Sequence, residues 1–330
     1  MQSMKAAVYD HYGGPDVVRV AEVARPRTAG NELLVKVVAT TVNRTDCGYR
    51  AAKPFILRFL TGMTRPKRAI LGTEFAGVVE SAGTDVTAFE AGERVFGYLE
   101  GRFGAHAEYL TVPDDASVTT MPPNVNFDQA AASFEGAHYA LANIRRAKIR
   151  SGQDVLVHGG TGGIGSAAIQ LLVGLGANVT ATCSTPHVDL VQSLGAERVI
   201  DYTIIDFTRD ERRYDVVFDA VGKSSFRRCK RLLKPKGVYL SSELGPFPQN
   251  PILAVITPLF GGKKVLFPFP KHDQEMVKYI KGLIESGDLK PVIDRRYRLD
   301  EILEAYRYVE AGHKIGNVVI RVEGPADDLG

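Results

Sequence analysis

The residues best placed to do chemistry stand together in His158-Gly-Gly-Thr-Gly-Gly-Ile-Gly165. Gly160, Gly162 and Gly165 keep the GxGxxG spacing, with Thr161, Gly163 and Ile164 between them. A short apolar strand-like run, 154–158, leads in. A run with apolar residues at Ile164, Ala168, Leu171, Leu172 and Leu175 leads out at helical spacing. Glycines there let the backbone turn sharply and approach a pyrophosphate, while the first turn of the helix offers unpaired N–H groups and partial positive charge. No Gly-Lys-Ser/Thr follows, which excludes a Walker loop. The predicted chemistry is the cradling of a dinucleotide's phosphates. The loop taken alone also fits the adenosyl group of a methyl donor.

The second strand of this pattern ends Cys183-Ser184-Thr185-Pro186-His187. NAD-selective sites carry an Asp or Glu at that tip to accept from the ribose hydroxyls. None stands here. Ser184 and Thr185 can donate to a 2′-phosphate, and His187 adds charge when protonated, so the expected cofactor is NADPH. Asp189 competes with that reading but falls past Pro186, in the next helix. The Ser-Thr-Pro run also fits a simple cap on that helix.

Two kinds of element must position these groups. Residues 5–9, 32–40, 77–81 and 108–112 are β-rich and separated by Gly, Pro and Asp, the texture of a small barrel. The exception is 49–68, whose apolar stretch 54–60 fits either a loop or short helix over a pocket or a core segment. From about 126, strands at 154–158, 178–182, 198–201, 214–219 and 237–242 alternate with helices at 163–175, 188–194 and 224–233. That succession predicts a doubly wound parallel sheet. Helices at 273–285 and 300–310 and a strand at 317–322 follow, and 323–330 reads as a frayed tail.

The 41 basic and 38 acidic residues leave a net charge of +3, so no global field favours nucleic acid or a membrane. No apolar run reaches the ~18 residues of a membrane span, and the N-terminus lacks the apolar core of a signal peptide. Cys47, Cys183 and Cys229 are far apart and form no CxxC pair, which predicts a reduced, cytoplasmic protein. The seven His show no metal-ligand spacing.

Val42-Asn43, Leu71-Gly-Thr-Glu-Phe-Ala-Gly77, Gly104-Ala-His-Ala-Glu-Tyr109, the glycine loop, Leu194-Gly-Ala-Glu-Arg-Val-Ile-Asp-Tyr202 and Asp219-Ala-Val-Gly222 occur in that order. Together they resemble a medium-chain dehydrogenase/reductase of the zinc-free quinone oxidoreductase branch. The 183–202 stretch is similar to mitochondrial reticulon-interacting oxidoreductases and plant enone reductases. The resemblance implies an α/β protein with a discontinuous, β-rich GroES-like catalytic domain (1–125 and 266–330) around a Rossmann domain (126–265). It also implies an active-site cleft between the domains and a homodimer. Zinc-dependent relatives place a Cys before Arg-Thr-Asp and a His in Gly-His-Glu; the matching positions here are Asn43 and Thr73. No Cys lies near Phe134, and the four-cysteine zinc loop is missing. No metal is therefore expected.

Without a Lewis acid, alcohol oxidation is disfavoured, and the resemblance implies hydride transfer to a quinone or an α,β-unsaturated carbonyl. Asn43 is the first candidate for the polar contact. Tyr49 is either a hydrogen-bond or proton donor or an ordinary loop tyrosine, and Asp46 matches an acidic family position or simply caps or braces the loop. Further cofactor positions carried over are Tyr202 on the adenine side, Val221 and Gly222 ending the fourth strand, and Ser241 and Ser242 ending the fifth. Phe267 is placed at the nicotinamide, and Asn317 at a position usually basic in the family. His138 and His158 read as packing residues. The alternatives are an NAD(P)-dependent alcohol dehydrogenase and a non-catalytic cofactor-binding interaction protein.

Overall fold

Runs of β-branched residues drive the first part of the chain into strands. These are β1 (Ser3–Val8), β2 (Arg19–Ala24), β3 (Glu32–Val42), β4 (Glu74–Ala82), β5 (Arg94–Tyr98), β6 (Tyr109–Pro113) and β7 (Val118–Thr120). The middle supplies β8 (Asp154–His158), β9 (Asn178–Cys183), β10 (Arg198–Asp201), β11 (Tyr214–Asp219), β12 (Leu233–Ser241) and β13 (Lys264–Leu266). β14 (Ile293–Arg298) and β15 (Asn317–Arg321) come last. The structure is a computed structural model and describes residues 2–322 apart from 246, 269 and 272. The tail expected to fray at 323–330 lies outside the described residues.

The chain divides into two units, Met1–Phe134 with His272–Ser286 and Val292–Gly330, and Glu135–Lys271 with Gly287–Pro291. In the first, β14-β15-β3-β4-β5-β7 form a sheet, with β6 also pairing β3. All pairs are antiparallel except β14 with β15. β3 is its spine, bonding to β15, β4 and β6 and burying Leu33, Val35 and Val37 against Phe75, Val95, Leu110 and Val118. A second cluster joins Ala7, Tyr9, Val42 and Cys47 to Ile302, Tyr306 and Val309 of the Ile302–Glu310 helix.

β3 ends at Val42, and the chain turns at once into an Arg44–Ala51 helix. The sequence reading has no helix there, because its polar residues show no apolar period. What starts it is a capping box: Asn43 accepts from the Asp46 N–H, and Asp46 accepts from the Asn43 N–H. A second box, Asn126 with Gln129, starts the Phe127–Ala131 helix, and a Phe134–Ala147 helix that contains His138 follows. Of the two readings of 54–60, the core segment fails. A Leu57–Thr61 helix forms at the surface, with Phe59 65% and Leu60 71% exposed.

The second unit is a six-stranded sheet in the order β10-β9-β8-β11-β12-β13, parallel throughout. Strand order reverses at β8, as in a doubly wound sheet. Val155, Leu156 and Val157 are fully buried, which is why β8 reads as a continuous apolar run rather than an alternating one. The helix expected over 224–233 is only Phe226–Cys229 followed by a 3-10 turn, Lys230–Leu232. Arg227, Arg228, Lys230 and Arg231 crowd like charges into that stretch.

Candidate functional site

β8 delivers the glycine loop to the carboxyl edge of the parallel sheet, and the Gly163–Gly174 helix leaves it. The loop is held by backbone: Gly160 N–H donates to Thr182 O at 2.9 Å and Gly159 N–H to Thr182 Oγ1 at 3.1 Å. His158 bonds the same Thr182 hydroxyl at 2.8 Å and stacks on Phe207 at 4.2 Å, a packing role. Gly165 has no room for a side chain, since a Cβ there would lie 2.0 Å from Gly159 O. Gly162 differs. A Cβ there would lie in ordinary van der Waals contact, 3.7 Å from Gly159 O and 3.8 Å from Val221 Cγ1, so the fold tolerates it. Gly162 caps the helix with no side chain over the first turn. A glycine cap that leaves the first-turn N–H groups of a twelve-residue helix uncovered is what a pyrophosphate requires, so these residues fit the cofactor.

The neighbouring strand tips converge on the same edge. Cys183 ends β9 fully buried, and burial pushes its thiol up to about 11. Ser184 makes no capping bond, so its hydroxyl is not spent on the turn it precedes. Tyr202 is exposed and donates its N–H to Cys183 O at 3.0 Å. His187 closes the Thr185–His187 turn, and Asp189 lies in the first turn of the next helix. At the β11 tip, Val221 N–H donates to Asp219 Oδ1 at 3.3 Å, and Gly222 sits at φ +65°. Ser241 closes β12 with its hydroxyl on Glu243 O, while the adjacent Ser242 Oγ is buried with no partner. Phe267 follows β13 directly.

Two of the cofactor candidates carry other bonds. The Thr185 hydroxyl donates to Asp201 Oδ2 at 2.5 Å, so it is not free to donate to a 2′-phosphate. Asp201 ends β10, in register with Cys183, and also holds the Thr203 N–H and hydroxyl. The β9 tip therefore has a carboxylate beside it, supplied by the next strand. Sequence order hides it, because only the pairing of β10 with β9 brings Asp201 to that tip. Asn317 belongs to the first unit, where its amide donates to Val292 O at 3.1 Å and braces the start of β15.

In the first unit, Asn43, Asp46 and Tyr49 come from one helix. Asn43 is buried, and its Nδ2 donates to Thr73 Oγ1 at 2.8 Å, so the two positions that match zinc ligands elsewhere satisfy each other. Asp46 is fully buried and also accepts from the Gly72 N–H at 3.2 Å. The bracing alternative for Asp46 is what its bonds show. His106 donates from Nε2 to Thr41 O at 2.8 Å, and burial holds it down to about 4, so it stays neutral. Tyr49 packs edge-on against Phe103, and burial with the Glu100 carboxylate nearby pushes its hydroxyl up to about 12.

Burial pushes Asp46 up to about 8 against an ordinary 3.8, although two backbone N–H bonds pull it down. Between those values the folded chain holds a proton that the unfolded chain has lost, so stability falls as pH rises through that window. Thermal melts across it should show a declining melting temperature in the parent protein, and a flatter profile for Asp46→Asn. Identical profiles would put the titration elsewhere.

Residues 29–123 match the alcohol dehydrogenase GroES-like domain family, and 194–320 the zinc-binding dehydrogenase family. The chain is 33% identical over 329 residues to the 2-methylene-furan-3-one reductase of Solanum lycopersicum, covering 96% of this chain and 79% of that one. The chain belongs to the medium-chain dehydrogenase/reductase superfamily. It is 31% identical to the chloroplastic NADPH-dependent alkenal/one oxidoreductase of Arabidopsis thaliana, over 97% of this chain and 80% of that one. The quinone oxidoreductase structure from Coxiella burnetii superposes with a TM-score of 0.87 at 27% identity, covering 98% of this chain and all of that one. Membership makes this protein an oxidoreductase and removes the methyl-donor reading of its glycine loop. One family description names zinc, but among the described residues of this member no three His, Cys, Asp or Glu side chains gather as a metal site.

Proposed function

We propose that this oxidoreductase transfers hydride from NADPH to a quinone or an α,β-unsaturated carbonyl without zinc. The observation that carries the reading is the Asn43–Thr73 hydrogen bond: an amide and a hydroxyl, already paired, replace a thiolate and an imidazole at the metal-ligating positions. Amide and hydroxyl oxygens bind zinc weakly without such support. A conjugated acceptor is electrophilic enough to need only positioning and stabilisation of the oxyanion that develops.

When bound, the dinucleotide supplies the hydride at its nicotinamide ring. The chain's own groups divide the remaining work. The first-turn N–H groups of the Gly163–Gly174 helix hold the pyrophosphate, and the unpartnered Ser242 hydroxyl offers one further bond at the sheet edge. The Tyr49 hydroxyl keeps its proton at neutral pH and is bonded to the Glu100 carboxylate; turned from there to the substrate oxygen it serves as a hydrogen-bond donor, with solvent as the final proton source. Asn43 and Asp46 position the helix that carries Tyr49.

Names of relatives favour NADPH, and Ser184, His187 and Tyr202 remain as contacts for the 2′-phosphate. Asp201 opposes it by charge. Asp201→Asn should therefore improve NADPH affinity a few-fold while leaving NADH affinity nearly unchanged, as read by titration. An equal gain for both cofactors would show that Asp201 does not sense the phosphate.

The protein is read as a homodimer. β13 is a sheet edge, and the segment before it exposes Ile252, Val255, Leu259 and Phe260. A cytoplasmic setting fits the three free, buried cysteines, and no helix among the described residues is long and apolar enough to cross a membrane. Steady-state turnover with a quinone and an enone panel, with and without a chelator, tests the function. NADPH oxidation unaffected by chelation is expected. Chelator-sensitive alcohol oxidation would replace this reading, and cofactor binding without turnover would favour a non-catalytic role.

A further inference from the structure

The 53–68 segment of the first unit presents an apolar surface that the unit's own packing does not use. Phe55, Ile56, Phe59, Leu60 and Met63 are 60, 64, 65, 71 and 50% exposed. Positions 55, 56, 59 and 60 share one side of a helical turn, and the Phe55 and Phe59 rings stand edge to face at 6.3 Å. The other side is anchored. The Tyr12 hydroxyl bonds Thr61 Oγ1 at 2.7 Å and Gly62 O at 2.8 Å, and the Arg58 guanidinium lies 4.9 Å over the Tyr12 ring. Gly62, at φ +125°, turns the chain back; a Cβ there would fall 2.1 Å from Arg65 O. Lys67 N–H then donates to Thr61 O at 2.8 Å, which brings the basic 65–68 run back to the end of the helix, and the Arg58 guanidinium also lies 5.4 Å over the Phe55 ring.

The charge around this patch is one-sided. Residues 47–73 hold six Lys or Arg and no Asp or Glu, whereas the whole chain has a net charge of only +3. Lys53, Arg65, Lys67 and Arg68 are all exposed. Whole-chain charge and the lack of a spanning segment argue against a membrane partner, but both average away a local feature of this kind. A two-fold contact between copies would set one cationic collar against another, which is unfavourable. Apolar side chains with a collar of cations match an anionic lipid interface, where the tips enter the acyl boundary and the cations meet phosphates.

We propose that the 53–68 segment docks the protein on anionic phospholipid surfaces, burying Phe55, Ile56, Phe59, Leu60 and Met63 and pairing Lys53, Arg65, Lys67 and Arg68 with headgroup phosphates. The proposal does not depend on which substrate the enzyme reduces. Its test is co-sedimentation of the purified full chain with vesicles of phosphatidylglycerol and phosphatidylcholine, against vesicles of phosphatidylcholine alone. Binding to the anionic vesicles, weakened by salt and absent from the neutral ones, is expected. Arg65→Glu/Lys67→Glu/Arg68→Glu should weaken it on the order of 100-fold, since each surface cation contributes about a fivefold factor. Phe59→Ser/Leu60→Ser should lose it as well, and unchanged melting temperatures would show that both variants fold. No binding by the parent chain overturns the proposal, as does binding that neither variant weakens. A Phe59→Ser/Leu60→Ser variant that breaks up a larger assembly in light scattering would also overturn it, by assigning the patch to a second copy.

Discussion

Gly165→Ala should weaken NADPH binding by on the order of 100-fold or more and lower the stability of the nucleotide-binding unit. The added Cβ would lie 2.0 Å from Gly159 O and 3.1 Å from Gly160 Cα, so the loop must move away from the helix start. Its first-turn N–H groups then no longer converge. Gly162→Ala is the informative partner. Its Cβ would meet nothing within 3.7 Å, so the fold should be untouched. The added methyl stands at the helix cap that the pyrophosphate approaches, so binding should still fall. Calorimetric titration with NADPH and thermal melts separate the two effects. Full affinity in Gly162→Ala would mean the phosphates lie elsewhere.

Glu310→Gln should destabilise the first unit by about 2–3 kcal/mol, below the range for a fully buried pair because Glu310 is a third exposed. Arg50 sits at the end of the helix that carries Asn43, Asp46 and Tyr49, is fully buried, and lies 4.9 Å over the Tyr306 ring. Its Nη2 pairs with Glu310, while its Nε and Nη1 have no hydrogen-bond partner. Neutralising Glu310 leaves an uncompensated charge in the core. The melting temperature should drop by roughly 5 °C or more. Arg50→Met combined with Glu310→Gln should recover part of the loss, because the stranded charge goes with it. A double variant worse than Glu310→Gln alone would contradict that explanation.

The parallel sheet was legible because its strands are short apolar runs between helix-spaced segments, and the glycine loop because its spacing is rigid. The site of the first unit was legible only as positions. Asn43-x-x-Asp46 carried the signature of a helix start, yet the segment has no apolar period, so a cap was legible only as one alternative for Asp46 and the reciprocal box was not. Asp201 was visible as part of Ile-Asp-Tyr, but its meaning depends on β10 pairing with β9, a long-range fact that no local pattern states. The cations of 65–68 were legible as charges, but their return to the end of the Leu57–Thr61 helix depends on the turn at Gly62.

The most direct test of the central claim follows the hydride itself. NADPH labelled with deuterium at either face of nicotinamide C4 is supplied with an α,β-unsaturated ketone, and the product is read by mass spectrometry and NMR. One of the two labels should appear at the β-carbon of the saturated ketone, in the presence of chelator as in its absence. Saturated product lacking deuterium from either label, or label transfer that stops when metal is removed, would contradict zinc-free hydride transfer by this protein.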